Sequence, residues 1–321
     1  ERRFATPSTS ACLPSSRPDM AAILPRHVGN AAEATSPGLP SRAMRAFAHD
    51  VFTYPLPEGH RFPLAKYRLV RQGAEQLAGV EVTDAEAAGW NALRRTHHDD
   101  WVDRVRDGRL ERREELGLGL PWSPELVERS RRATGATLAA ADAALADGVA
   151  MNLGGGTHHA FAHVGRGFCV FNDVVTAIRS LRARRLLRRV LVVDVDVHQG
   201  DGTHALLAGD ADAFTLSLNG LRNYPFRRVP GDLEVELPDG TRDDAYLTEL
   251  GRVLPEALRR SRPELAFVLA GADPYVGDRL GRLALTKAGL LDRDACVRDT
   301  LAQAGVPVCV TLAGGYAEDI R

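Results

Sequence analysis

Lysine is almost missing from this chain. Only Lys66 and Lys287 occur among its 41 Lys and Arg residues. With alanine abundant as well, this points to GC-rich coding rather than to a functional arginine patch. Neither sign of charge is in excess: 42 acidic residues bring the formal net charge to −1, so no global attraction to polyanions follows. The run RARRLLRR (182–189) reads as the polar end of a helix, not as a nucleic-acid patch. No stretch of about 18 consecutive apolar residues is present, so no membrane-spanning helix is expected. Cysteine is scarce and scattered, at Cys12, Cys169, Cys296 and Cys309. Without CxxC spacing these argue against a disulfide framework or a cysteine zinc site, and for a reducing, cytoplasmic compartment.

What is present, 321 residues of which 44% are apolar, suits one large α/β domain or two small ones. Residues 1–43 are rich in Pro, Ser, Ala and Thr and lack periodicity. Such a composition is expected to stay disordered, as a leader or non-native extension, with the domain proper running over 44–321. From Met44 the pattern predicts a strand (MRAFAH) and an amphipathic helix over Ala65–Leu77. Thr83-Asp84-Ala85-Glu86 reads as a helix N-cap with acid in the first turn. His97-His98-Asp99-Asp100 opens a helical stretch, where neighbours point about 100° apart. Those four are therefore read as solvated surface rather than as metal ligands. A long helix over Glu125–Ala146 follows. Strands are then expected at Val149–Leu153, Val190–Val193, Ala213–Leu218, Leu265–Ala270 and Val306–Leu312. Helices over Asp173–Arg189, Asp243–Arg260 and Lys287–Ala304 alternate with them. The alternation predicts a single-domain α/β fold, an open, mostly parallel sheet with helices on both faces.

In such sheets ligands bind beyond the carboxyl ends of the strands. Four apolar strands here each run into a glycine-containing turn that carries a reactive residue: His158 and His159, then Asp194 to Asp201, then Asp273, then Tyr316. In VVDVDVHQGDGT (192–203) the residues Asp194, Asp196 and His198 fall at every second position, so in an extended segment they share one face. Taken alone, that stretch is either a metal site or a buried acid paired with a histidine. Likewise His158-His159 could cap a helix, Tyr316 could pack on the sheet, and Asp273 before Pro274 could be a turn acid. Taken together the parts match amide hydrolysis. Asp196, His198 and Asp273 would hold a metal with an open position, and oxygen-rich ligation suits Fe²⁺ as well as Zn²⁺. His158 and His159 would supply acid and base, and Tyr316 would donate to the oxyanion. Asp194 and Asp201 would accept the other ring N–H of the two histidines.

GGGTHHAF (154–161), GFCVFND (167–173), VVDVDVHQGDGT (192–203), AGADP (270–274) and AGGY (313–316) stand in the order found in the histone deacetylase family, which this chain resembles from about Met44 to Tyr316. HRFPLAKY, NYPFR (223–227), DDAYL (243–247) and GDRLGRLALT (277–286) look most like its bacterial, class-IV-like branch. The resemblance implies the arginase/deacetylase fold and a zinc-dependent hydrolase removing acyl groups from acyl-lysine in proteins or peptides. An acetylpolyamine or other small-molecule deacetylase is the alternative, and a non-catalytic acyl-lysine binder a further one. It implies His159 as principal base, His158 as electrostatic and proton-donating partner, and Gly167 and Phe168 lining the acyl-lysine channel. It also implies a structural K⁺ or Na⁺ held by Asp194, the Ser217 hydroxyl and backbone oxygens of Asp196, His198 and Leu218. Gln199, Asn219, Asn223 and Ala313 depart from common family residues. Asn223 near the place of a second channel aromatic predicts a channel open on one side. Family members usually continue into a closing helix past the tyrosine, so a truncation after Arg321 is expected.

Overall fold

The computed structural model describes residues 43–320; all but the last residue of the expected leader lies outside the described residues. Eight strands form one sheet: β1 (Met44–Ala48), β2 (Val80–Asp84), β3 (Val149–Asn152), β4 (Val190–Asp194), β5 (Ala213–Gly220), β6 (Leu233–Leu237), β7 (Leu265–Leu269) and β8 (Val308–Thr311). Their order is β2-β1-β3-β8-β7-β4-β5-β6, and every neighbouring pair is parallel. The helices are α1 (Ala65–Glu75), α2 (Trp90–Leu93), α3 (Asp99–Asp107), α4 (Arg112–Leu118), α5 (Pro124–Asp147), α6 (Asp173–Ala183), α7 (Asp201–Leu207), α8 (Asp243–Ser261) and α9 (Lys287–Gln303).

The central strands are continuously apolar because both of their faces are covered. Even so, alternation persists. Val190, Val192, Leu265 and Phe267 enter the core shared with α3, α5 and α6. Leu191, Val193, Ala266 and Val268 enter a second core under α8 and α9. The longest helix, α5, starts where sequence chemistry says it should: Ser123 caps it by accepting from the Leu126 N–H at 3.1 Å, with Pro124 in the first turn. Pro at that position is preorganised and loses no helical hydrogen bond.

Four expectations are corrected. Val80–Asp84 is an edge strand in register with β1, Val80 opposite Met44, not the entry to a helix. Its VEVTD alternation outweighs the local capping signal. The edge strand β6 was not foreseen. Helix α6 stops at Ala183, where Arg185 turns to φ +58°. The arginines beyond leave the helix and pair with acids: Arg184 with Asp142, Arg188 with Asp212 and Arg189 with Glu264. Strand β4 ends at Asp194, so Asp196 and His198 lie in the following loop and do not share a face by strand alternation.

His97, expected at the surface, is the fourth correction. Its ring is 2% exposed and joins three loops. Nδ1 lies 2.9 Å from the Phe161 carbonyl, while Nε2 accepts the Asn172 N–H at 2.9 Å. This arrangement requires a neutral imidazole, with one nitrogen donating and the other accepting. Burial pushes its pKa down to about 4. An unfolded histidine titrates near 6.5. Between those values the unfolded state therefore binds the extra proton, and stability falls as pH drops through the window. Relative to neutral pH, His97 should cost about 2 kcal/mol of stability at pH 5. Urea denaturation at pH 7.5 and pH 5 checks this. His97→Gln should be less stable than the parent at pH 7.5 yet lose less on acidification. Equal losses in both proteins would contradict the assignment.

Candidate active site

Strands β3, β8, β7 and β4 are consecutive neighbours in the sheet. They deliver, in that spatial order, the loops bearing His158 and His159, Tyr316, Asp273, and Asp194 to Asp201. All-parallel pairing puts these loops at one edge, so sites far apart in the chain become adjacent.

The floor is built from carboxylates held by backbone N–H groups. Asp273 Oδ1 accepts from Val197 N at 2.9 Å, and Asp196 Oδ2 accepts from Gly314 N at 2.8 Å. Asp196 Oδ1 also accepts from His198 N at 2.9 Å. These bonds leave Asp196 Oδ1 and Asp273 Oδ2 facing His198 Nδ1, at 3.0 and 3.1 Å. The three residues are buried, and one ligand atom from each falls within 4.8 Å of the others. Asp273 and His198 therefore meet Asp196 through loop hydrogen bonds. A Cβ at Gly314 would stand 2.0 Å from Asp273 Oδ2 and 2.5 Å from Asp196 Oδ2, so only glycine permits this close packing.

Beside this floor stand the two histidines. His158 Nδ1 lies 2.7 Å from Asp194 Oδ2, and His159 Nδ1 lies 2.7 Å from Asp201 Oδ1. Both rings are about 5% exposed or less, with centroids 4.2 Å apart. Fixing Nδ1–H on a carboxylate leaves each Nε2 as the free nitrogen. For His158, burial alone would lower the pKa, but Asp194 and Asp196 outweigh it and push it up to about 9. For His159, burial and then the neighbouring His158 push it down to about 4. Burial likewise depresses His198, yet Asp196 and Asp273 outweigh it and raise it to about 10. Burial and the adjacent Asp196 push Asp273 up to about 6. Tyr316, 8% exposed, is raised well above the usual phenol value by burial and then by Asp196 and Asp273.

Aromatic rings wall the approach. Phe168 lies 4.8 Å from Phe62 and 5.8 Å from Tyr316 between centroids. On the other side Tyr224 meets His159 edge-on at 4.8 Å. The expected opening beside Asn223 is thus closed. Asn223 is buried and donates to the Leu280 carbonyl at 2.8 Å, while the next residue supplies the ring. Gly167 touches both His159 and Tyr224: a Cβ there would lie 2.7 Å from the first and 3.4 Å from the second. Asp194 is in register with Ser217 on β5. Both are buried, and Asn219 donates to the Ser217 hydroxyl at 3.0 Å.

Two further residues support the site and were not read from the sequence as doing so. Lys66 is buried on α1, and its ammonium donates to the Ala313 and Gly315 carbonyls, each at 3.2 Å. It also lies 5.4 Å from the Tyr316 ring centroid. Its rarity was the available signal, a lysine kept in a chain that otherwise uses arginine. Arg293 on α9, 1% exposed, donates to the Gly271 carbonyl at 2.6 Å and the Val195 carbonyl at 3.2 Å. It ties together the two loops that carry the floor, and a long-range contact of this kind leaves no local pattern.

The comparisons with known proteins agree with this geometry. The histone deacetylase domain matches residues 58–320. An uncharacterized protein of Picosynechococcus sp. is 41% identical over 278 residues, which is 85% of this chain and 92% of that protein. The histone deacetylase-like amidohydrolase of Pseudomonas aeruginosa is 31% identical over 257 residues, 75% of this chain and 67% of that protein. The fold is also that of a solved histone deacetylase homologue from Aquifex aeolicus, with a TM-score of 0.73 at 24% identity, covering 86% of this chain and 79% of that one. The four loops, the buried Asp196–His198–Asp273 group fit for zinc and the family match lead to one conclusion: the chain belongs to the histone deacetylase family and is a deacetylase or amidohydrolase of that family.

Proposed function

We propose that the protein hydrolyses the amide of acyl-lysine side chains in proteins or peptides. The observation that carries this reading is the pair of buried histidines, each fixed at Nδ1 by its own aspartate, beside three converging ligand atoms. A site for binding alone has no need of two oriented imidazoles.

Asp196, His198 and Asp273 fit a divalent ion, Zn²⁺ or Fe²⁺: one imidazole nitrogen faces two carboxylate oxygens whose partner oxygens already accept backbone N–H bonds. Such an ion supplies Lewis acidity to the substrate carbonyl and to the attacking water. His159, with Nδ1 bound to Asp201, takes the water proton at Nε2. His158, bound to Asp194, sits 3.9 Å from Asp196 through Nε2 and delivers a proton to the departing amine. The Tyr316 hydroxyl, kept protonated by its surroundings, donates to the oxygen that gains charge. Phe168, Phe62 and Tyr224 flank the aliphatic stem and exclude water from it. The neutral, extended lysine stem suits such walls better than a charged group would. A structural K⁺ or Na⁺ between β4 and β5 fits the buried Asp194–Ser217 pairing, with the backbone oxygens of Asp196, His198 and Leu218 completing it.

Tyr316→Phe should lower kcat by about 10²–10³-fold while metal content, read by plasma mass spectrometry, stays at the parental value. Unchanged turnover would remove Tyr316 from the chemistry. Asp273→Ala should lose both metal and activity, and full occupancy in that variant would overturn its assignment as a ligand. Lys66→Met keeps the aliphatic stem but removes both donors to the Ala313–Gly315 turn. Misplacing Tyr316 should then cost about ten- to a hundredfold in kcat, with metal content intact. Turnover of a fluorogenic acetyl-lysine substrate beside N-acetylspermidine tests the function itself. Hydrolysis of neither, nor of any longer acyl-lysine, would refute it.

A further inference from the structure

The two segments that close the channel on the Tyr224 side carry no acid at all. Between Thr157 and Asn172 the ionisable side chains, apart from the two site histidines and Cys169, are His163 and Arg166; between Asn219 and Gly231 they are Arg222, Tyr224, Arg227 and Arg228. Arg222 is paired with Asp239 and Arg228 with Glu236. Arg166 and Arg227, both exposed, form no ion pair among the described residues. They adjoin wall residues directly. Arg166 precedes Gly167, which abuts Tyr224; Arg227 follows Phe226, which is 89% exposed and meets the Tyr224 ring at 6.4 Å.

Arg166 also lines a groove of about 610 Å³ that starts at this wall. Gly117 and Gly165 line it too, and Gly117 accepts the Gly167 N–H at 3.2 Å. One strip of chain, residues 165–168, therefore separates groove from channel. Within the groove Arg104 is offset by Asp100 and Glu114, and Arg113 by Glu111. Arg166, whose guanidinium lies 5.2 Å from the Phe161 ring centroid, and the imidazoles of His98 and His163 have no acidic partner among the described residues. Across the mouth the balance is closer: Arg61 and Arg279 stand on segments that also carry Glu58, Glu318 and Asp278. Asp278 accepts the N–H groups of Leu280, Gly281 and Tyr316.

We infer that the preferred substrate is an acyl-lysine flanked by acidic residues, which lie over Arg166 and Arg227 and along the groove beside the channel. This rests on the acyl-lysine reading above and narrows it. An extended peptide advances about 3.3 Å per residue, so side chains two or three positions from the lysine reach the groove. A polyamine carries its remaining amines as cations and meets the same arginines with like charge.

The test compares acetyl-lysine peptides of one length whose residues at positions −3 to +3 are acidic or basic, with N-acetylspermidine alongside. With metal-loaded protein, the acidic peptide should exceed the basic one in kcat/KM by about fivefold or more, since exposed pairs contribute up to about 1 kcal/mol each. The advantage should shrink in 0.5 M salt, as rim electrostatics do. Arg166→Glu with Arg227→Glu should erase or invert the ratio, while Arg252→Gln on α8 should leave it alone. Equal or basic-favouring ratios in the parent protein would overturn the inference. Fluorescence anisotropy with the same peptides reads the preference independently of chemistry. If the peptides bind with the acidic preference but neither they nor a neutral acetyl-lysine substrate is hydrolysed, the reading of the site fails and the flank preference stands.

Discussion

Four carboxylates are buried at one edge of one sheet, and much of the surrounding chain exists to make that tolerable. Asp194, Asp196, Asp201 and Asp273 are each 2% exposed or less. A buried charge without partners costs several kcal/mol. Here the partners are mostly backbone: Val197, His198 and Gly314 N–H groups for the floor, Asp196 N–H for Asp194 and Gly202 N–H for Asp201. Loops must bend sharply to aim their amides inward, and that is why the turns are rich in glycine. The two oxygens facing His198 lie where a cation would offset the charge that backbone dipoles leave over.

The same requirement explains where strain sits. Ala313 has φ +51° and Phe168 has φ +68°, a region that costs a non-glycine residue of order 1–3 kcal/mol. Both positions are over-determined by their surroundings. Lys66 clamps the carbonyls on either side of Gly314. Phe168 is pinned through its N–H on the Leu118 carbonyl at 2.8 Å and by stacking against Phe62. At the site, strain thus falls on the tyrosine turn and the channel wall, the two places where a side chain must be presented at a fixed angle. Among the described residues the other left-handed non-glycine positions, Arg185 and Arg262, lie just past the ends of α6 and α8.

The sequence disclosed the sheet and the reactive residues because those signals are local. An apolar run such as Val190–Val193 is a strand wherever it lies, and four such runs ending in glycine and a reactive side chain imply a shared edge. The edge strands β2 and β6 were misread or missed because half-exposed strands carry weak apolar signal. His97 was misplaced because its partners, Phe161 and Asn172, lie 64 and 75 residues away. The geometry of Asp196 and His198 was attributed to strand alternation, although a loop held by Asp273 and Gly314 sets it. Tyr224 was passed over in favour of Asn223, since one position along an irregular segment decides which side chain turns inward.

Floor and walls are held by different means, and this bears on how preference for substrates can change. The floor hangs from central strands and is tied by Arg293 to α9, inside the two cores. The walls, residues 165–168 and 221–229, are held by loop bonds outside those cores: Gly167 to Gly117, Phe168 to Leu118, Asn223 to Leu280, Gln199 to Val229, and Arg228 to Asn219 and the carbonyls of Gly220, Leu221 and Asn223. A charge altered at Arg166 or Arg227 breaks no bond to the carboxylate network, because neither side chain pairs with an acid among the described residues. Loops on a rigid scaffold can therefore vary what is recognised while the buried chemistry stays fixed. The parallel edge fixes where the floor loops meet, whereas Arg166 and Arg227 stand exposed on loops outside it, so a change of charge at the mouth leaves the scaffold in place.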